Sequence, residues 1–253
     1  MSYIIAHRGA SFDAPENTLA AVRLAWEQGA DGIEGDFMLT ADGEIVCFHD
    51  LNAQRVAGDP RIVKQMTLAE LKSLDVGSWK GAKWTGEQIP SLAEVLDVMP
   101  AGKKFVVELK DGPDIVEPLG RIIGESAFSQ DDLLVITLVE ETAAECRRQL
   151  PHLKRNWLSG YKQDERGSWR PNADEVIATI QRVGAAGFGS LAKPEHFDAD
   201  FVEMLRAAGI DEFHVWTVDD PDVARYYAEL GSWCITTNRP EFIRDELARP
   251  AGS

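Results

Sequence analysis

Nine short apolar runs rich in β-branched residues recur along this chain, and amphipathic helical stretches separate most of them. The runs are Tyr3–Ala6, Gly32–Phe37, Ile45–Phe48, Phe105–Leu109, Leu133–Leu138, Asn156–Ser159, Gly187–Leu191, Phe213–Val218 and Trp233–Thr236. The intervening helices are well punctuated. Thr67-Leu-Ala-Glu70 and Ser91-Leu-Ala-Glu94 read as capping boxes, and Gly29, Gly209 and Gly231 fall where helices should stop. Strand–helix alternation through all 253 residues argues for an α/β protein built as one closed TIM (β/α)8 barrel, residues 1–253, rather than two domains.

The ninth run is accounted for by the second gap. Between Phe37 and Ile45 there is no room for a crossover helix, which needs about a dozen residues. The segment Thr40-Ala-Asp-Gly-Glu44 carries an Asp-Gly pair between extended runs, a strong hairpin signal. Residues 45–49 therefore read as an antiparallel extension of the second strand, leaving eight parallel strands. The barrel rhythm is then interrupted from about 51 to 90, with one short helix at about 67–74. An inserted subdomain over the barrel mouth, before the second barrel helix, is expected there.

Charge narrows the partners. With 26 basic and 42 acidic residues the net charge is −16, and no basic run offsets that field, so nucleic acid is not expected as a partner. No apolar run approaches the roughly 18 residues of a spanning helix, so integral membrane association is not expected. Cys47, Cys146 and Cys234 are odd in number and far apart, a pattern of reduced thiols. The N-terminus carries no secretory pattern, which makes the cytoplasm the expected compartment. Nothing in the sequence speaks to oligomeric state.

In such barrels the working residues stand at the C-terminal ends of the strands. The first strand ends in His7-Arg8-Gly9. Glu34 and Asp36 share a face of the second strand, as do Glu108 and Lys110 on the third, because strand side chains alternate. Phe105, Val107 and Leu109 then face the helices. A two-residue Asp42-Gly43 loop would pair Ala41 with Glu44 and set Asp36 opposite His49, about 5 Å apart at the β-carbons. A three-residue loop would shift the register by one and turn His49 away. We take the first register. Glu34, Asp36 and Glu108 then converge, and three carboxylates at one mouth repel one another unless a hard divalent ion, Mg²⁺ or Ca²⁺, lies between them. Two histidines able to exchange protons near neutral pH, with Arg8 and Lys110 for an anionic oxygen, complete a site suited to metal-assisted phosphoester cleavage. Trp216 either walls the substrate pocket or fills the barrel. His214, two residues earlier on the same face, reads as a core histidine.

These residues also carry a resemblance. His7-Arg8-Gly9, Pro15-Glu16-Asn17-Thr18, Glu34-Gly-Asp36, Asp42-Gly43 with His49-Asp50, Ile89-Pro90-Ser91-Leu92, Glu108-Leu-Lys110, Trp216-Thr217-Val218 and Thr237-Asn238-Arg239-Pro240 follow one another in the order of the glycerophosphodiester phosphodiesterases. The chain resembles that family over nearly its whole length. The resemblance implies hydrolysis of a small-molecule glycerophosphodiester to sn-glycerol 3-phosphate and an alcohol. It assigns Glu34, Asp36 and Glu108 to one divalent cation, His7 and His49 to acid–base catalysis, and Arg8 and Lys110 to phosphate. It favours His49 as base and His7 as acid, although the sequence alone leaves the two interchangeable. It also allows the glycerol 2-hydroxyl to attack first, through a cyclic phosphate. The chain departs from the family pattern at Arg55-Val56-Ala57 and at Ser232-Trp233-Cys234-Ile235, both outside the expected first contacts with the ion.

Two other readings use the same scaffold. A lysophospholipase D needs an apolar rim on the insertion, where this chain mixes Lys64, Lys72, Lys80 and Lys83 with scattered apolar residues. A barrel that only binds phosphate esters would have lost a histidine or a carboxylate, and all five are present.

Overall fold

Inward and outward side chains alternate along every barrel strand of the computed structural model, which describes residues 2–249. The described residues form eleven strands: β1 Tyr3–His7, β2 Gly32–Leu39, β3 Ile45–Cys47, β4 Lys104–Leu109, β5 Leu133–Thr137, β6 Lys154–Ser159, β7 Lys162–Gln163, β8 Trp169–Arg170, β9 Gly187–Leu191, β10 Glu212–Trp216 and β11 Cys234–Thr237. Eight of them pair in parallel in the order β1-β2-β4-β5-β6-β9-β10-β11, and β11 closes back on β1. The result is a TIM barrel.

The outer faces of β2 and β4 supply Ile33, Phe37, Phe105, Val107 and Leu109 to a core shared with the surrounding helices. Phe37 and Phe105 meet edge to face at 5.7 Å, both fully buried. Truncating either to Ala removes about 3–5 kcal/mol. The inner faces fill the lumen with Ile5, Val106, Leu134, Ile136, Leu158 and Cys234. Above that apolar plug the inward positions become His7, Glu34, Asp36, Glu108 and Trp216. The switch from apolar to ionisable along β1, from Ile5 to His7, and along β4, from Val106 to Glu108, beside Glu34 and Asp36 of β2, puts chemistry at one end of the barrel.

Helix signals in the sequence hold at the level of hydrogen bonds. Thr67 and Ser91 each accept from the backbone N–H three residues on, with Glu70 and Glu94 reaching back. Gly29, Gly209 and Gly231 all have φ near +80°, ending their helices in the left-handed region.

The β2–β3 hairpin differs from the register expected. Phe37 pairs with Cys47 and Leu39 with Ile45, which sets Asp36 opposite Phe48, not His49. The loop has three residues, Ala41, Asp42 and Gly43, closed by Thr40 N–H to Glu44 O at 2.9 Å. Gly43 takes φ +81°, the left-handed third position that such loops require. Asp42 is held there by the Thr40 hydroxyl and by the backbone N–H of Leu68.

Residues 51–90 contribute Ala53, Val56, Val63, Met66, Leu71, Val76 and Ile89 to a small cluster of their own, sealed against Met38, Val46 and Phe48 of the hairpin. It contains short helices at Gln54–Ala57 and Leu68–Lys72. The two-stranded excursion β7–β8 after β6 was not anticipated; its strands are two residues each, too short to leave a periodic signal. The three cysteines are buried and unbridged, and among the described residues no helix is long and apolar enough to cross a membrane.

Candidate active site

Register across β1, β2 and β4 sets the site. His7 pairs with Glu34, and Asp36, two residues further along β2, pairs with Glu108, so the four cluster at the mouth end of three adjacent strands. Carboxylate oxygens of Glu34, Asp36 and Glu108 lie within 4.8 Å of one another. Glu34 and Asp36 are almost fully buried. This is the convergence the alternation predicted.

Directly after β1 the chain turns sharply. Arg8 adopts φ +57°, rare for a side-chain-bearing residue, and Gly9 follows at +77°. The turn points the Arg8 backbone N–H at Glu34 Oε2, 3.0 Å away, while its guanidinium Nε lies 3.0 Å from Asp36 Oδ2. Asn17, also at φ +57°, donates to Asp36 Oδ2 at 2.9 Å and accepts from the Asp36 backbone N–H. Lys110 donates to Glu108 Oε1 at 2.8 Å and lies 3.3 Å from Asp36 Oδ1. Arg8 and Lys110 are therefore counter-charges to the carboxylates as well as candidates for phosphate.

His49 reaches the site by a different route from the one expected. Strand β3 ends at Cys47, and the chain leaves the ladder after Phe48 donates to Asp36 O. The imidazole then lines the same cleft as His7, Glu34, Glu108 and Lys110. Its Nδ1 lies 2.8 Å from Asp50 Oδ1, so Nδ1 carries a proton and Nε2 faces the site. His7 is oriented in a parallel fashion. Asn238 donates its Nδ2 to Asp219, leaving Oδ1 to accept from His7 Nδ1 at 2.8 Å. His7 Nε2 points inward, 3.9 Å from Glu34 Oε2.

Behind these groups lies a cleft of about 590 Å³ open to solvent. Ile136, Leu138 and Trp216 form its apolar walls, and His214 its floor. A chain of hydrogen bonds sets the His214 tautomer. Asn156 Nδ2 donates to Glu212 Oε1 at 3.1 Å and to His214 Nδ1 at 3.3 Å, so the neutral ring carries its proton on Nε2. That N–H and the indole N–H of Trp216 are both buried without a partner among the described residues. The expectation of a core histidine holds for burial, but the ring also lines the pocket. Glu16 and Asp50 orient neighbours, Glu16 bridging Arg8 and Arg55 and Asp50 bridging His49 and Arg55.

The sequence reading did not give Asn17, Asp219 and Asn238 roles. Asn17 holds the candidate metal ligand Asp36, Asn238 holds His7, and Asp219 acts one step removed by fixing Asn238; only the motifs containing Asn17 and Asn238 could have signalled them.

With this geometry in view, the glycerophosphoryl diester phosphodiesterase family model matches residues 7–242. The chain belongs to this family. A glycerophosphodiester phosphodiesterase of Caldanaerobacter subterraneus is 41% identical, with 98% of each chain covered. A putative family member of Bacillus subtilis is 33% identical over 95% of this chain and 96% of its own. Among solved structures, a phosphodiesterase of Oleispira antarctica in complex with the product sn-glycerol-3-phosphate superposes with a TM-score of 0.86 at 27% identity, 98% of each chain covered.

The residues fit the divalent ion on which this family generally depends. Glu34 Oε1 is buried with no hydrogen-bond partner among the described residues, in a carboxylate that lies within 4.8 Å of those of Asp36 and Glu108. Burial, with Asp36 and Glu108 close by, pushes the Glu34 carboxyl well above its ordinary range, and the same causes raise Glu108. Asp36 goes the other way despite its burial, held down by Arg8 and Lys110. Three carboxylates against two cations leave one negative charge uncompensated. A divalent ion reverses that into one positive charge, the complement of a phosphodiester monoanion. Burial also pushes the His7 imidazole down to about 4, with Arg8 contributing.

Proposed function

We propose that this protein hydrolyses glycerophosphodiesters to sn-glycerol 3-phosphate and an alcohol. The observation that carries the reading is the buried, orphaned Glu34 oxygen among three carboxylates, with two histidines turned toward them. Glu34, Asp36 and Glu108 would hold one Mg²⁺ or Ca²⁺, which when bound lowers the pKa of an attacking hydroxyl and neutralises charge on the phosphate. Arg8 and Lys110 grip the non-bridging phosphate oxygens. The glycerol lies in the inner cleft, where the Trp216 and His214 N–H groups meet hydroxyl oxygens.

Each histidine has its outer nitrogen anchored, His7 by Asn238 and His49 by Asp50, so each offers a fixed Nε2. His49 takes the proton of the attacking hydroxyl, and Asp50 stabilises the imidazolium that results. His7 protonates the departing alkoxide. A bound phosphodiester anion restores beside His7 the negative charge that favours its imidazolium. The glycerol 2-hydroxyl is the first nucleophile, with an effective concentration of roughly 10⁵ M or more when well oriented. Opening of the five-membered cyclic phosphate by water then uses the histidines in reversed roles. The reaction is carried by one barrel domain, with residues 51–90 an inserted subdomain and the cytoplasm its compartment.

The test is product analysis by phosphorus NMR on glycerophosphoglycerol and on lysophosphatidylcholine. The reading requires sn-glycerol 3-phosphate from the first and little turnover of the second. Faster turnover of the lysolipid would favour a lysophospholipase D, and binding without turnover of either would make the barrel a carrier.

A further inference from the structure

His7 and Arg8 form a ridge between two clefts. The inner one, described above, contains the carboxylates, Trp216 and His214. The outer one, about 510 Å³ and open to solvent, is lined by Ser11, Phe12, Glu16, Trp79, Lys80 and Asn238. A phosphodiester gripped at Arg8 with its glycerol in the inner cleft must send its other ester oxygen across His7 into the outer one. The histidine assigned to the leaving group is the one that borders both spaces, whereas His49 lines only the inner side of the ridge.

The outer cleft has an unusual charge for a chain at −16. Glu16 is its only carboxylate, and both its oxygens are already taken, by Arg8 at 2.8 Å and by Arg55 at 2.7 and 3.0 Å. Lys80 Nζ donates to the Ser11 carbonyl at 2.7 Å and has no carboxylate within ion-pair distance among the described residues. Arg239, beside Phe12, likewise has none there.

The exposed aromatics look at first like a cage for a quaternary ammonium. Phe12 is 54% exposed and Trp79 41%. Cations of the protein already lie against both rings, however. The Arg239 guanidinium lies 4.4 Å from the Phe12 ring centre, and Arg55 and Lys80 lie 5.7 and 5.6 Å from that of Trp79. Cation–π attraction at this cleft is already satisfied by the protein's own cations. A further cation would meet the like charge of Arg55, Lys80 and Arg239 beside both rings.

We propose that the outer cleft is the subsite for the leaving alcohol, and that it selects head alcohols bearing a carboxylate or phosphate over neutral polyols, and those over quaternary ammonium alcohols. The recognising group is Lys80, which lines the cleft beside Trp79; Arg239, packed against Phe12 and Phe242, adds positive charge next to the cleft without lining it. The inference rests on the phosphodiesterase reading of the neighbouring site.

Three diesters of sn-glycerol 3-phosphate separate the possibilities, with 3-hydroxypropanoate, propane-1,3-diol and choline as the leaving alcohols. Their sizes are similar and their charges differ. We expect kcat/KM to fall about tenfold from the carboxylate to the diol, and about tenfold again from the diol to choline, as befits one unit charge about 5 Å from Lys80 in a partly solvated site. The carboxylate's advantage should shrink several-fold between 0.05 and 0.5 M salt, a measurement on the unaltered enzyme. Lys80→Glu should reverse the order of carboxylate and choline, and Lys80→Arg should keep it. Equal rates for all three, or preference for choline, would overturn the subsite while leaving the phosphodiesterase intact. Turnover of none of the three would instead remove the function on which the inference stands.

Discussion

Removing one carboxylate from the triad should stabilise the protein whenever the ion is absent. Carboxylate oxygens of Glu34 and Glu108 lie within 4.8 Å in a buried setting, and Asp36 already has Arg8 and Lys110 as partners. Two unit charges at that separation repel by about 3 kcal/mol at an effective dielectric of about 20. Partial protonation relieves some of this, so Glu34→Gln should raise ion-free stability by about 1–2 kcal/mol, roughly 2–8 °C in Tm for a chain of this size. Added Mg²⁺ or Ca²⁺ at about a hundred times its Kd should stabilise the wild type by about 2.7 kcal/mol, and the variant by much less. The pH sign follows from the same groups. Glu34 and Glu108 bind protons more tightly folded than unfolded, both being raised from 4.5. Ion-free stability therefore falls as pH rises above that value toward their folded pKa values, and the benefit of the ion grows over the same interval. Thermal denaturation of both proteins in chelator and in each ion, from pH 5 to 8, gives all these quantities. A wild type indifferent to divalent ions, or a Glu34→Gln variant that is less stable in chelator yet responds to the ion fully, would refute the argument.

Three further outcomes are expected. A nitrophenyl leaving group needs little protonation, so His7→Ala should lose far less activity on a nitrophenyl diester than on glycerophosphocholine, whereas His49→Ala loses similarly on both; equal losses throughout would reverse the assignment. A diester lacking the glycerol 2-hydroxyl should bind and turn over at least a hundredfold more slowly, and comparable turnover would mean that water attacks directly. Burial pushes His214 down to about 3, so the unfolded chain gains a proton below about 6.5 that the fold refuses, and stability should fall by up to about 1.4 kcal/mol per pH unit between those values. His214→Gln should flatten that acid slope, and denaturation curves with unchanged slopes would count against a buried neutral imidazole.

The barrel was legible because its signals are local. β-Branched runs, capping boxes and helix-ending glycines each depend on a few neighbouring residues, and all hold. Alternation likewise put Glu34, Asp36, Glu108 and Lys110 on inner faces, because a period of two survives any uncertainty at strand ends. The hairpin register failed for a reason of the same scale. Asp42-Gly43 fits either a two-residue loop or a three-residue loop with glycine third, and the Leu68 N–H that holds Asp42 in the longer form comes from a segment 26 residues away. His49 still reached the cleft because the chain leaves the ladder just before it. Asn238 and Asp219 were silent for a different reason: they orient His7 from the opposite end of the chain, 231 residues away for Asn238, and no spacing rule reaches that far.

The central claim is that Glu34, Asp36 and Glu108 hold an ion without which the histidines do not cleave the diester. A coupled assay for released sn-glycerol 3-phosphate, run on enzyme whose metal content has been measured, tests it most directly. Chelated protein should release less than a hundredth of the product formed after Mg²⁺ or Ca²⁺ is restored, and Glu108→Gln should need far more ion for the same rate. Full release from protein confirmed to be metal-free would contradict the account.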